Sequence, residues 1–275
     1  DTLAKQRVHR DDVLVVVGGG VVGDLGGFVA ATYLRGLPLW QIPTSVVAQV
    51  DSSVGGKVAV NLDYGKNLVG TFYQPQRVLV DPAYLITLPD AEVRNGLGEV
   101  LKYALLMGEG LLEHLESSAQ ALGRMDLDEW SEVSRRCVGY KAAVVQRDER
   151  DRGERAVLNL GHTTAHAIER CTGYGRVGHG FAVALGLLVA LRVSEEVVEC
   201  PRELRTRTTE VMERLGLPTR LELPPVRDLL EAMQWDKKVE AGTSGFVGLS
   251  ALGSPVRGMD VPRPVLAAAL EEVRV

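Results

Sequence analysis

Residues 159–180, NLGHTTAHAIERCTGYGRVGHG, hold three of the five histidines of this 275-residue chain. His162 and His166 are four residues apart in a stretch that reads as helix, so their side chains share one face. His179 follows a glycine-rich break. Upstream, in NGLGEVLKYALL, Glu99 and Lys102 stand three apart, again on one helical face. Two histidines and a glutamate make a catalytic zinc set with one coordination position left open. Helical spacing pairs His162 with His166, and His179 is the other imidazole available to the set.

The basic residues carry a second signal. Of the 31 Lys and Arg residues only seven are Lys, so arginine is the default and each lysine is informative. Lysine is a compact, rotatable charge whose pKa can shift, whereas arginine is a rigid fork. Lys57, Lys66, Lys102, Lys141, Lys237 and Lys238 all fall in glycine- or acid-marked segments, and only Lys5 sits in an ordinary polar stretch.

The elements that must position these groups begin with VLVVV at 13–17, a β-branched run suited to a strand buried on both faces of a parallel sheet. It leads into GGGVVGDLGGFVAATYL at 18–34, a tight turn feeding a helix, which aims backbone N–H groups and the positive helix end at a phosphate. The stretch differs from the pattern of GxGxxG followed by an acidic residue, and glycines serving only close strand-to-helix packing are the alternative. A short strand and a helix start capped at Thr44 or Ser45 come next, then DSSVGGK, where Asp51, Ser52, two glycines and Lys57 have the density of a ligand loop. GKNLVG at 65–70 repeats the pattern with Lys66 and Asn67, and VLVD at 78–81 reads as a short buried strand.

Beyond residue 90 the periodicity becomes helical, over 91–107, 111–122, 128–147, 156–171, 180–199 and 202–215. WDKK at 235–238 reads as loop before a short strand in GFVGLS. The expected organisation is an α/β, Rossmann-like parallel-sheet domain over 1–90, incomplete at its N-terminus, and a mainly α-helical metal- and substrate-binding domain over 91–275. A net charge of −5 argues against nucleic acid or an anionic membrane as the main partner. The longest apolar stretch, 181–191, is too short to span a bilayer, and the first residues lack the apolar region of a signal peptide. Cys137, Cys171 and Cys200 are odd in number, well separated and without a CxxC pair, which fits reduced thiols and a cytoplasmic setting.

GGGVVGD, PTSVVAQVDSSVGGK, GKNLVG, GEVLKYA, DERDRGER, NLGHTTAHAIE, GHGFAVALG and DKK occur in one order along almost the whole chain. In this the chain resembles the 3-dehydroquinate synthases, a branch of the sugar-phosphate cyclases more distantly similar to glycerol and iron-dependent alcohol dehydrogenases. The resemblance implies a divalent metal, zinc or cobalt, on Glu99, His162 and His179, with His166 facing substrate. It implies NAD held by Gly20, Val21, Val22, Gly23 and Asp24, by Thr44, Ser45, Lys57 and Lys66, and by Tyr84, Leu85, Ile86 and Thr87. Asp51, Lys102, Asp151 and His166 match catalytic positions; Lys57, Asn67, Lys141, Arg155, Asn159 and Lys237 match substrate-binding ones. Arg35 would reach a sugar-phosphate substrate from the second subunit of a homodimer.

The implied reaction converts 3-deoxy-D-arabino-heptulosonate 7-phosphate to 3-dehydroquinate. Two departures stand out. Asp151 replaces the glutamate usual in the family, and the strands that precede residue 13 in the family, with an acidic NAD-ribose segment, are missing, so an N-terminally truncated chain is expected. Other sugar-phosphate cyclases, a metal-dependent polyol dehydrogenase and an inactive fragment are the alternatives. The clustered lysines speak against the dehydrogenase.

Overall fold

The structure is a computed structural model that describes residues 1–62, 65–173, 175–239 and 245–275, the side chains of 235–239 excepted. It divides into two compact units, Asp1–Leu88 with Trp130–Ala143, and Pro89–Glu129 with Val144–Val275. The 14-residue return of Trp130–Ala143 to the first unit is a feature that a division at residue 90 does not contain.

In the first unit a four-residue helix α1 (Thr2–Lys5) precedes strand β1 (Leu14–Gly18), helix α2 (Gly20–Thr32) and strand β2 (Leu39–Pro43). β1 and β2 pair in parallel, Leu14 opposite Leu39 through Gly18 opposite Pro43. The connection through α2 is the crossover that parallel pairing requires. Val16, Ala30, Leu37 and Leu39 form the core between sheet and helix. The helix lies close: a β-carbon on Gly26 would stand 2.5 Å from a Val16 methyl, and one on Gly27 2.3 Å from a methyl of Val58. The second of these belongs to the hairpin of β3 (Lys57–Leu62) and β4 (Gly65–Phe72).

Three expectations change here. Val15 and Val17 are 46% and 51% exposed, because β1 is an edge strand with one face uncovered among the described residues, not a strand buried on both faces. GKNLVG is strand β4 of the antiparallel hairpin, not a loop. The strand expected over 78–81 contracts to β5 (Arg77–Val78), parallel to β2, because Asp81 caps a 3₁₀ turn by accepting the Ala83 N–H.

The second unit contains α3 (Asp90–Met107), α4 (Glu109–Gly123), α6 (His162–Thr172), α7 (His179–Val197), α8 (Arg202–Arg214) and α9 (Val226–Val239). Between α4 and α6, helix α5 (Leu127–Arg147) supplies the returning segment of the first unit. A hairpin of β6 (Phe246–Ala251) and β7 (Ser254–Met259) and a final helix α10 (Arg263–Glu272) complete it. α7 is apolar around nearly its full circumference and buried accordingly. Its Ser194 hydroxyl donates to the Ala190 carbonyl and accepts the Leu249 N–H of β6. The helix expected over 156–171 splits, because Gly161 takes a left-handed φ of 80° between a 3₁₀ turn (Glu154–Asn159) and α6. α9 runs through 235–238, which the sequence reading took as loop; the side chain of Lys237 lies outside the described residues.

Candidate active site

Among the described residues, Glu99, His162 and His179 each bring one ligand atom to within 4.8 Å of the others. Glu99 Oε1 is 3.0 Å from His179 Nε2 and 3.3 Å from His162 Nε2. The other carboxylate oxygen, Oε2, is 2.6 Å from Lys102 Nζ, one helical turn on, and Glu99 and Lys102 are both 1% exposed. The ligand geometry rests on three helices that approach closely, and each ligand neighbours a glycine at a contact. A β-carbon on Gly98 would lie 1.9 Å from the Gly180 carbonyl oxygen, one on Gly180 1.6 Å from the Asn95 carbonyl oxygen, and one on Gly186 2.0 Å from the Gly161 carbonyl oxygen. Only glycine permits such backbone approach, which seats α3 on α7 and α7 on the start of α6.

The electrostatics follow from burial and charge. Burial alone would raise the Glu99 carboxyl; the charges of Lys102 and His162 and hydrogen bonds from His162 and His179 instead hold it well below the usual carboxylate range. Burial lowers His162, and the pull of Glu99 does not reverse it. Burial also opposes the charged form of His179, but hydrogen bonds to Glu169 and Glu99 and their negative charges outweigh it and push the ring to about 10. The donor set of two imidazoles and a carboxylate suits zinc or cobalt with a position left open.

His166 is placed differently. Its ring lies edge-on to His162, centroids 5.7 Å apart, and the residue is exposed, while the His162 ring is 5.5 Å from that of His179. Helical spacing pointed to His162 with His166; tertiary structure gathers His162 with His179. Nearby in sequence, Asp148 accepts backbone N–H groups of Arg152, Gly153 and Arg155, closing a loop in which Asp151 has a left-handed φ of 54°. Arg155 is 3% exposed and donates to the Glu149 carbonyl at 2.7 Å. Asn159 ends the 3₁₀ turn, two residues before the glycine that opens α6.

In the first unit, Gly20, Val21, Val22, Gly23 and Asp24 form the first turn of α2. The opening N–H groups of such a turn have no intrahelical partners and favour an anion. Val21 and Val22 are exposed, whereas Asp24 is half-buried; burial raises its carboxyl to about 6 despite the lowering charge of Lys141. Ser45 Oγ accepts the Ala48 N–H, and the Thr44 N–H donates to the Gly18 carbonyl. Asp51 lies in a π-helical turn (Ala48–Ser52), an irregularity frequent at functional sites, and its carboxylate and carbonyl both accept from Lys141 Nζ. Lys57 opens β3 and Lys66 lies in β4, both exposed. Arg35 and Asn67 have left-handed φ values of 67° and 57°, uncommon for non-glycine residues, and the Asn67 N–H donates to Asn61 Oδ1. In the 3₁₀ turn Pro82–Thr87, Leu85 is fully buried and Tyr84 and Ile86 are exposed.

Two residues near the metal-type cluster escaped the sequence reading. Asn95 Oδ1 accepts the Phe181 N–H beside the α3–α7 crossing, and Glu169 Oε2 is 3.4 Å from His179 Nδ1. The first has no sequence signal; the second was visible as the Glu of HAIE, two turns after His162.

Residues 1–95 match the family described as 3-dehydroquinate synthase N-terminal, and residues 96–239 the family described as 3-dehydroquinate synthase C-terminal. The chain is 45% identical to a 3-dehydroquinate synthase of Nitrosomonas europaea over 98% of its own length and 73% of that protein. Among solved structures, 2-epi-5-epi-valiolone synthase from Streptomyces hygroscopicus subsp. jinggangensis 5008, with NAD+ and Zn2+ bound, superposes with a TM-score of 0.92 at 27% identity, covering 99% of this chain and 76% of that one. A 2-deoxy-scyllo-inosose synthase complexed with carbaglucose-6-phosphate, NAD+ and Co2+ gives 0.90 at 25% identity, covering 99% and 77%.

Proposed function

The chain belongs to the 3-dehydroquinate synthase family, and from that premise we propose that it is a lyase converting 3-deoxy-D-arabino-heptulosonate 7-phosphate to 3-dehydroquinate and phosphate. The convergence of Glu99, His162 and His179 beside a buried Lys102 carries this reading. These three residues would hold zinc or cobalt, and the α2 turn Gly20–Asp24 with Thr44, Ser45, Lys57, Lys66 and Tyr84–Thr87 would hold NAD. When bound, NAD supplies hydride acceptance and return at the sugar carbon, and the metal supplies Lewis acidity at the reacting hydroxyl.

The chain's own groups do the rest. Lys102, fixed against Glu99 at 2.6 Å, keeps a positive charge beside the donor set, where it stabilises a developing alkoxide. Exposed His166, next to His162, is placed to exchange a proton with substrate. Arg155 offers a forked pair of donors to the substrate carboxylate, with Asn159 and Lys237 as further substrate contacts in the same unit. Asp151, one methylene shorter than the family's usual glutamate, matches a catalytic position in the loop closed by Asp148. In the first unit Asp51 and Lys141 form a partly dry pair, and Lys57 and Asn67 supply a cation and an amide for phosphate. Arg35 serves the neighbouring subunit of a homodimer.

Sister cyclases share the metal and the dinucleotide, but the 45% identity to a 3-dehydroquinate synthase against 27% and 25% to the two sisters favours the acid substrate. Phosphate release from the heptulosonate, measured with and without NAD and zinc, tests the reading. No release under any condition, or turnover of sedoheptulose 7-phosphate in preference to the acid, would overturn it.

A further inference from the structure

The roles above leave one carboxylate of the cluster without a task. Glu169 is 4% exposed and lies on α6 seven residues, about two helical turns, beyond His162. Its Oε2 is 3.4 Å from His179 Nδ1, while His179 Nε2 is 3.0 Å from Glu99 Oε1. His162 shows the same division, with Nδ1 3.2 Å from the Leu160 carbonyl oxygen and Nε2 3.3 Å from the same Glu99 oxygen. Each imidazole thus has one nitrogen engaged outward and the other turned to a shared point.

A neutral imidazole carries one N–H and one lone pair. In the metal-free chain both rings turn Nε2 to Glu99 as hydrogen-bond donors; if a metal takes the place of those protons, each neutral ring keeps its N–H on Nδ1, donated to Leu160 in one case and to Glu169 in the other, and turns its Nε2 lone pair to the shared point. We propose that Glu169 is a positioning residue, which accepts the Nδ1–H of His179 and thereby fixes its tautomer and ring orientation for metal binding. A carboxylate in this place also raises the basicity of the ligand, and loss of such an outer partner commonly weakens metal binding by roughly 10- to 100-fold. At 3.4 Å the contact is at the long end of the hydrogen-bond range, so charge and burial must supply much of its strength. The bland alternative is a buried carboxylate that only holds α6 to the start of α7. That role would affect folding but leave the metal's coordination as it was.

The inference rests on the metal-binding reading of Glu99, His162 and His179, and the test separates the two. Zn2+ affinity of the whole chain is measured by chelator competition for the unsubstituted protein, Glu169→Gln and Glu169→Ala, with the d–d spectrum of each Co2+-loaded form and the melting temperature of each metal-free form. Glu169→Ala is expected to weaken zinc binding roughly 10- to 100-fold and to alter the cobalt spectrum. Glu169→Gln, which keeps an acceptor oxygen, is expected to recover part of the affinity at an unchanged metal-free melting temperature. If Glu169→Ala does not fold, Glu169→Gln decides by its affinity and spectrum. Variants that bind zinc within about threefold of the unsubstituted chain, with its cobalt spectrum, overturn the role of Glu169 alone. An unsubstituted chain that binds no zinc overturns the metal reading with it.

Discussion

Gly98 and Gly180, the chain neighbours of Glu99 and His179, approach so closely that a β-carbon on Gly98 would stand 1.9 Å from the Gly180 carbonyl oxygen. The obstacle is backbone, which cannot rotate away as a side chain can. Gly98→Ala must therefore push α3 off α7 and separate the two ligands. Overpacking in a well-packed interior costs about 1 to 3 kcal/mol, and a backbone clash belongs at or above the top of that range. Gly98→Ala is expected to lower the melting temperature and lose stoichiometric zinc. A variant with unchanged melting and one zinc per chain would show that the close approach is not what sets the ligand geometry.

His179→Ala should lose the metal, whereas His166→Ala should keep it, because His166 is exposed and stands outside the group formed by Glu99, His162 and His179. Elemental analysis of the two purified variants decides this. Retention of zinc by His179→Ala together with its loss from His166→Ala would reverse the assignment.

Arg155 is buried, so a substrate carboxylate bound to it would be left without its partner in a dry place once the guanidinium is removed. Breaking such a pair costs about 2 to 5 kcal/mol, against about 1 kcal/mol or less for an exposed ion pair. Arg155→Ala is therefore expected to reduce kcat/KM by well over tenfold. A reduction below about tenfold, or about 1.4 kcal/mol, would reject the carboxylate role.

Asp24 gives a pH dependence. Burial raises its carboxyl in the folded chain from 3.8 to about 6, against the attraction of Lys141. Below pH 3.8 the group is protonated whether folded or not and opposes nothing. As pH rises towards 6 the unfolded chain ionises first, so folding stability falls across this window and is level above it. Asp24→Asn removes that loss. The melting temperature of the variant relative to the parent should climb between about pH 4 and pH 6 and then stay constant. A difference that does not change with pH would contradict the raised value.

Arg35 holds a left-handed backbone in a 3₁₀ turn after α2, a conformation that usually needs a reason. Service to a partner subunit would be such a reason. Sedimentation should show a dimer, and mixing inactive Arg35→Ala and Lys57→Ala chains should restore part of the activity. An active monomer, or mixtures that never complement, would remove Arg35 from the site.

What the sequence determined by itself was what depends on neighbours along the chain. The 3.6-residue period placed α3, α4, α5, α7 and α8 to within a few residues, and three-residue spacing put Lys102 against Glu99. The β-branched run before the glycines announced β1 and the turn into α2. Joined motifs carried the family, and with it the choice of His179 over His166.

Residue spacing could not make that choice, because it ranks partners by distance along a helix. The tertiary structure supplies the physical reason for it: close glycine crossings bring the start of α7 to α3 and α6, 80 residues from Glu99 to His179. The same holds for Glu169, whose task depends on which nitrogen of a residue on another helix it meets. It holds too for the pairing of Asp51 with Lys141, 90 residues apart, and for the return of Trp130–Ala143 to the first unit. For the histidine and glutamate cluster the controlling quantity is how near two backbones can come, and that depends on the glycines of both elements at once.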